Sequence, residues 1–174
     1  MAAYFNNLDV ACASSDVADY DTLYVYGAPF TYSDVTLTRP LTIIGPGYFL
    51  NQNPGLQNNL TPAKVANIMF DPGSSGSLVS GMTITYLQVN IPNIVVQRNY
   101  IGRMGIYDSN CIILQNFVNC EDWNGQSIYA DMAANYLIAN NFIAASYGEC
   151  FHSTDTCSGI FANNITNNSC LFYN

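Results

Sequence analysis

The chain has 174 residues, four Lys+Arg against twelve Asp+Glu, a formal charge of −8 and 9% charged residues, where a soluble domain usually carries about 25%. It is nevertheless 49% hydrophobic and 13% aromatic. Those figures exclude a long disordered tail, a phosphate-neutralising surface for nucleic acid, and an ordinary helical protein with Glu, Lys and Arg on its outer faces. One lysine and twenty-two asparagines remain to build the surface with Ser, Thr, Gly and Tyr. An all-β protein made soluble by neutral polar groups fits that balance. The length suits one domain. No apolar run approaches the roughly 18 residues of a membrane span, and residues 1–20 lack the pattern of a signal peptide.

In chain order, residues 1–20 read as an N-terminal cap or assembly segment. Short strands follow at Asp21-Thr-Leu-Tyr-Val-Tyr26 and along Val35-Thr-Leu-Thr-Arg-Pro-Leu-Thr-Ile-Ile-Gly-Pro-Gly-Tyr-Phe-Leu50. Another apolar run spans Ala63-Lys-Val-Ala-Asn-Ile-Met-Phe-Asp-Pro-Gly73. Beyond it the chain repeats itself. Four segments align without gaps: Asn93-Ile-Val-Val-Gln-Arg-Asn99-Tyr-Ile101, Asn110-Cys-Ile-Ile-Leu-Gln-Asn116-Phe-Val118, Asn135-Tyr-Leu-Ile-Ala-Asn-Asn141-Phe-Ile143 and Ser158-Gly-Ile-Phe-Ala-Asn-Asn164-Ile-Thr166. Gly76-Ser-Leu-Val-Ser-Gly81-Met-Thr-Ile84 joins them with Gly81 in the Asn place. Each segment is a short apolar strand, one Asn, and a second short strand.

A rung of about 18 residues holds three short strands and three turns. It cannot bury its own apolar residues, but rungs stacked about 4.8 Å apart hydrogen-bond strand over strand and enclose a continuous core. Identical residues then form columns. Val96, Ile113, Ile138 and Phe161 make an aliphatic one, and Tyr100, Phe117, Phe142 and Ile165 an aromatic one. Asn99, Asn116, Asn141 and Asn164, with Gly81, make a structural ladder. Its amides are placed to hydrogen-bond one to the next, and Asn tolerates the left-handed backbone of a tight turn. The wider spacings after Asn116 and Asn141 hold two insertions, roughly 121–134 and 146–156.

The Asn-anchored repeat and the Ile-Ile-Gly-Pro-Gly opening resemble the right-handed parallel β-helix family with the pectin-lyase-like fold. The first 81 residues resemble secreted β-helix proteins of Bacteroidota-type bacteria. The resemblance implies an all-β, single-stranded right-handed parallel β-helix (a β-solenoid) of about six to eight rungs over residues 21–174. It implies little about activity, because such folds carry lyases, hydrolases, epimerases, adhesins and tailspikes.

The residues themselves offer weak chemistry. The lyases of that family use an Arg or Lys base beside calcium-binding acids, and Arg39, Lys64, Arg98 and Arg103 match no such motif. A hydrolase needs two carboxylates several ångströms apart. The candidates are Glu121, Asp122 and Asp131 in the first insertion, and Glu149, His152 and Asp155 in the second. Trp123, Tyr129 and Tyr147 offer rings for a sugar. Solvated loop acids are the plainer reading of the same residues, so no catalytic residue is assigned. Asp122-Trp-Asn-Gly125 suggests calcium but does not fit an EF-hand loop, so no metal or cofactor is assigned either.

An even count of six cysteines with low charge leans toward a secreted or cell-surface chain with some disulfides, their pairing left open. Buried free thiols are the competing reading. A solenoid has two open ends, and residues 169–174 are apolar and fall in the middle of a rung, so either the natural protein continues there or the end stacks on another subunit. The expected function is therefore a non-catalytic extracellular solenoid, structural or adhesive, which self-associates end to end through residues 1–20 and 169–174 into a filament or oligomer. The alternative is a carbohydrate-binding or carbohydrate-cleaving protein that holds a polysaccharide with the loops 120–134 and 145–157.

Overall fold

The computed structural model describes residues 3–52, 54, 55, 58–122, 125–154 and 156–172. Among the described residues a short helix, α1 (Leu8–Ala13), precedes eighteen strands. In chain order these are β1 (Thr22–Tyr24), β2 (Thr31–Tyr32), β3 (Val35–Leu37), β4 (Thr42–Ile44), β5 (Lys64–Phe70), β6 (Leu78–Ser80), β7 (Thr83–Val89), β8 (Val95–Gln97) and β9 (Tyr100–Ile106). They continue as β10 (Ile112–Leu114), β11 (Phe117–Cys120), β12 (Ile128–Ala130), β13 (Tyr136–Ala139), β14 (Phe142–Ala145), β15 (Phe151–Ser153), β16 (Gly159–Ala162), β17 (Ile165–Thr166) and β18 (Cys170–Phe172).

The protein is mostly β, and every strand pair is parallel. One seven-stranded sheet runs β1-β4-β6-β8-β10-β13-β16. The second sheet is two ribbons joined by long strands. In β9, for instance, Tyr100 and Ile101 pair with β11, while Met104, Gly105 and Ile106 pair with β12. Each pass of the chain thus adds one strand to the first sheet and one to each ribbon of the second. This arrangement is compatible with a β-helix.

The register stacks like on like. Val79, Val96, Ile113, Ile138 and Phe161 form one column of the first sheet. Ile84, Ile101, Val118 and Ile143 form another in the second. Leu87, Met104, Ile128 and Phe151 form a third. Apart from Phe161, these side chains are all but inaccessible and belong to one core cluster. Each such aliphatic side chain contributes about 1.5–3 kcal/mol by leaving water, and parallel strands need that burial. The columns therefore hold the passes in register.

Two corners turn the chain. Gly81, Arg98, Gln115, Asn140 and Asn163 have φ of +71°, +55°, +55°, +57° and +53°. Each directly follows a strand of the first sheet. The left-handed residue is thus the one before the ladder position, not the ladder Asn itself. Gly81 belongs to this corner column, since its N–H donates to the Arg98 carbonyl at 3.1 Å. Met82 stands opposite Asn99 in its place. A second left-handed column precedes β6, β8, β10 and β13, with Gly76, Asn93, Asn110 and Asn135 at φ of +89°, +65°, +58° and +55°.

The N-terminal segment lies against the first pass. Leu8, Ala11, Cys12 and Val17 are buried, and three of them (Leu8, Cys12 and Val17) share the core cluster with Val35 and Leu37. Arg39 ties this segment down by donating from Nη1 to the carbonyls of Ser14 at 3.2 Å and Val17 at 2.5 Å.

Candidate functional site

Inside the corner, the asparagines form a hydrogen-bonded chain. Asn99 Nδ2 donates to Gln97 O at 2.8 Å, Val79 O at 3.1 Å and Asn116 Oδ1 at 3.2 Å. The Asn99 N–H donates to the same Asn116 Oδ1 at 3.0 Å. Asn116 repeats the pattern on Asn141, at 2.8 Å from N and 3.1 Å from Nδ2. Asn141 repeats it on Asn164, at 2.9 and 3.0 Å. At the lower end the Met82 N–H donates to Asn99 Oδ1 at 3.0 Å. Asn99, Asn116 and Asn141 are buried, so the satisfied amides remove what would otherwise be a large penalty for buried polar groups. The column satisfies its own buried polar groups and ties successive passes together.

The next residue outward starts a second column. Tyr100 stacks on Phe117 with centroids 5.3 Å apart and planes 10° from parallel, and Phe117 stacks on Phe142 at 4.8 Å and 11°. Phe49, from the segment after β4, meets Phe117 edge-on at 5.1 Å and Tyr100 at 5.8 Å. A shallow pocket of about 320 Å³ lies beside it, walled by Tyr48, Leu60, Pro62 and Tyr100. These rings turn their faces to one another and their edges to water.

The described acidic candidates flank strands of the second sheet: Glu121 and Asp122 follow β11, Asp131 follows β12 and Glu149 precedes β15. Glu149 Oε2 lies 2.6 Å from His152 Nδ1. Tyr129, one strand below in register, stacks on the His152 ring at 5.5 Å and 30°. Tyr107 follows Tyr129 at 6.0 Å. Asp131 Oδ1 accepts from Thr154 Oγ1 at 2.7 Å, and Glu121 Oε1 accepts from Asn119 Nδ2 at 3.1 Å. Asp122 and Tyr147 are exposed. Trp123 and Asp155 lie outside the described residues, as does Asn124 of the calcium-like stretch.

The structure therefore brings Tyr129, Glu149 and His152 together, while Glu121 and Asp131 are held by other partners. A Glu-bound imidazole can act as a base, but the nearby Ser153 is buried and Thr154 is already bonded to Asp131. Among the described residues no group of three or more His, Cys, Asp or Glu is placed to hold a metal ion. All six cysteines are free, which corrects the expectation of some disulfides; four of them (Cys12, Cys111, Cys120 and Cys150) are buried thiols. Burial pushes the Cys12 thiol up to about 12 and the Cys111 thiol up to about 11, so both stay protonated. No helix among the described residues is long and apolar enough to cross a membrane.

Three features escaped the sequence reading. Tyr107 and Tyr86 border the Tyr129–His152 stack but lie outside the aligned segments. Burial, then a hydrogen bond with Tyr107, pushes the Tyr86 phenol up to about 12. Tyr48 and Phe49 cover the aromatic column from a stretch with no repeat. An aliphatic stripe of Leu78, Val95, Ile112, Leu137 and Ile160 runs up the outer face of the first sheet. The unbroken Ile-Ile-Leu of residues 112–114 was its visible signal.

The chain matches no protein-family model, and comparisons with curated proteins and with solved structures find no match.

Proposed function

We propose that the chain is a right-handed parallel β-helix of six to eight rungs with a non-catalytic, structural or adhesive role, secreted or displayed at the cell surface, and that it associates end to end into an oligomer or filament. The observation that carries this reading is the upper end of the stack. There, among the described residues, β16, β17 and β18 each pair with a strand on one side only. Ile160, Ile165 and Phe172 on those strands are 61%, 64% and 52% exposed. Open strand edges with apolar side chains are templates for association. Light scattering across a concentration series, with electron microscopy, tests it. A mass that grows above the single chain is expected; a monomer at high concentration overturns it.

The Tyr129–His152–Glu149 cluster favours a second reading, a carbohydrate-binding or carbohydrate-cleaving protein using the loops 120–134 and 145–157. Glycan-array binding with reducing-sugar release tests that one. Activity lost in Glu149→Gln would establish it in place of the first.

A further inference from the structure

We infer that Arg103, with the hydroxyls of Tyr86 and Tyr107, forms a binding site for a singly charged oxyanion, a carboxylate above all, on the side of the stack. Arg103 lies in β9, which pairs with β7 on one side and with β11 and β12 on the other. The site is therefore independent of what meets either end of the stack.

The four cations of the chain are differently placed. Arg39 holds the carbonyls of Ser14 and Val17, Arg98 Nε donates to Gln115 Oε1 at 2.9 Å, and Lys64 is exposed. Arg103 is half-buried. Its Nε is inaccessible and has no hydrogen-bond partner among the described residues, and its Nη2 meets Gln126 Oε1 only at a long 3.5 Å. No carboxylate of the described residues forms an ion pair with it, although the chain carries twelve acids. A guanidinium presents five donors in a fixed plane, and leaving them idle beneath the surface is costly. An acceptor from outside the chain would relieve that cost.

The surroundings supply a further donor. Tyr86 stands opposite Arg103 on the neighbouring strand, and its hydroxyl bonds with that of Tyr107. Two hydroxyls with one bond between them keep one O–H to donate. Tyr107 follows β9 and folds back across Gly105, where a Cβ would sit 2.6 Å from its ring and 3.0 Å from its hydroxyl oxygen. Gly105 is thus what lets Tyr107 reach Tyr86. Tyr129 packs on Tyr107 at 6.0 Å from the next strand.

Charge selects the ligand. One guanidinium on a chain of net charge −8 balances one negative charge, not two. A carboxylate carries one and meets the guanidinium fork with two parallel hydrogen bonds. A sulfate ester shares that charge and those acceptors. A phosphate monoester is close to doubly charged at neutral pH and fits worse.

The test is calorimetric titration of the whole chain with benzoate, phenyl sulfate, phenyl phosphate and the neutral benzamide. The Nε–Hε signals of the three arginines in ¹⁵N NMR locate the binding. Benzoate is expected to shift the Arg103 signal saturably, with benzamide weaker by about tenfold or more. Arg103→Gln should weaken benzoate by about tenfold, and Arg103→Lys, which keeps the charge without the fork, by about threefold. Far-UV circular dichroism checks that each variant is folded. Tyr107→Phe, expected to weaken benzoate by about threefold, serves if the Arg103 variants do not fold. Phenyl sulfate binding more tightly than benzoate supports the site and makes a sulfate ester its ligand. Phenyl phosphate binding more tightly than both overturns the single-charge assignment. Benzamide binding as well as benzoate, an unchanged benzoate affinity in Arg103→Gln, or no shift at Arg103 overturns the site.

Discussion

Two ladders run side by side up this molecule, one residue apart in every repeat. Asn99, Asn116 and Asn141 face the interior, and Tyr100, Phe117 and Phe142 face outward. The asparagine column is nearly inaccessible, at 0–2% exposure, whereas Phe142 is 37% exposed. The inner column holds polar groups that have no water to fall back on, so its worth lies in complete pairing. The outer one holds apolar rings that lose only part of their surface to one another. The same repeat therefore produces one cooperative column and one additive column.

The largest effect should come from breaking the inner column. Asn116→Leu removes the acceptor of both the Asn99 N–H and Nδ2, and the donor to Val96 O and Asn141 Oδ1. With buried orphans costing about 1–3 kcal/mol each, the loss should reach about 3–5 kcal/mol in urea unfolding. Asn116→Asp sharpens the point. A carboxyl group in this dry column should have a raised pKa, so the variant should lose stability as pH rises above the ordinary carboxyl range, opposite to a salt-bridged Asp.

Next comes the corner that begins the column. Gly81→Ala places a Cβ 2.5 Å from the Gly45 carbonyl oxygen at a φ of +71°. A loss of about 2–3 kcal/mol is expected, on the scale of stored backbone strain. A melting temperature equal to that of the parent would mean the corner relaxes.

A buried group outside both ladders gives a third test. Cys111 is fully buried, and burial lifts its thiol from 9.0 to about 11. The folded state then keeps a proton that the unfolded chain releases. Its contribution is intact below about pH 9 and is lost as pH rises toward 11, on the order of 2 kcal/mol. Urea midpoints between pH 8 and 11 should fall less steeply in Cys111→Ala than in the parent.

The smallest effects belong to the outer column. Phe117→Ala, which loses two stacked neighbours and Phe49, should cost about 2 kcal/mol. Phe142→Ala, near the open end, should cost about 1 kcal/mol. If Phe117→Ala proved as damaging as Asn116→Leu, the distinction between cooperative and additive columns would fail.

Much of this was legible before the structure. Four segments with Asn at one spacing foretold strands in columns, and the predicted Val96–Ile113–Ile138–Phe161 and Tyr100–Phe117–Phe142–Ile165 alignments coincide with the pairing register. The placing of Gly81 failed by one residue, because Gly and Asn both signal a left-handed turn. Two adjacent positions compete for that signal, and only the backbone separates the turning residue from the amide beside it. Arg98 and Gln115 take left-handed conformations that their residue types do not announce. The pairing of Glu149 with His152, three residues on, was within reach of local spacing. The Tyr129 stack was not, since it depends on a strand pairing across an insertion.

Composition alone determined that the protein is rich in strands, poor in charge and dependent on neutral polar groups. Periodicity alone determined which residues share a column, because stacked parallel strands place equivalent residues one above another. Which columns face inward only the tertiary structure decided. Burial depends on what packs against a surface, and the helix packed on the first pass and the Tyr48–Phe49 cover on the aromatic column come from segments that repeat nothing.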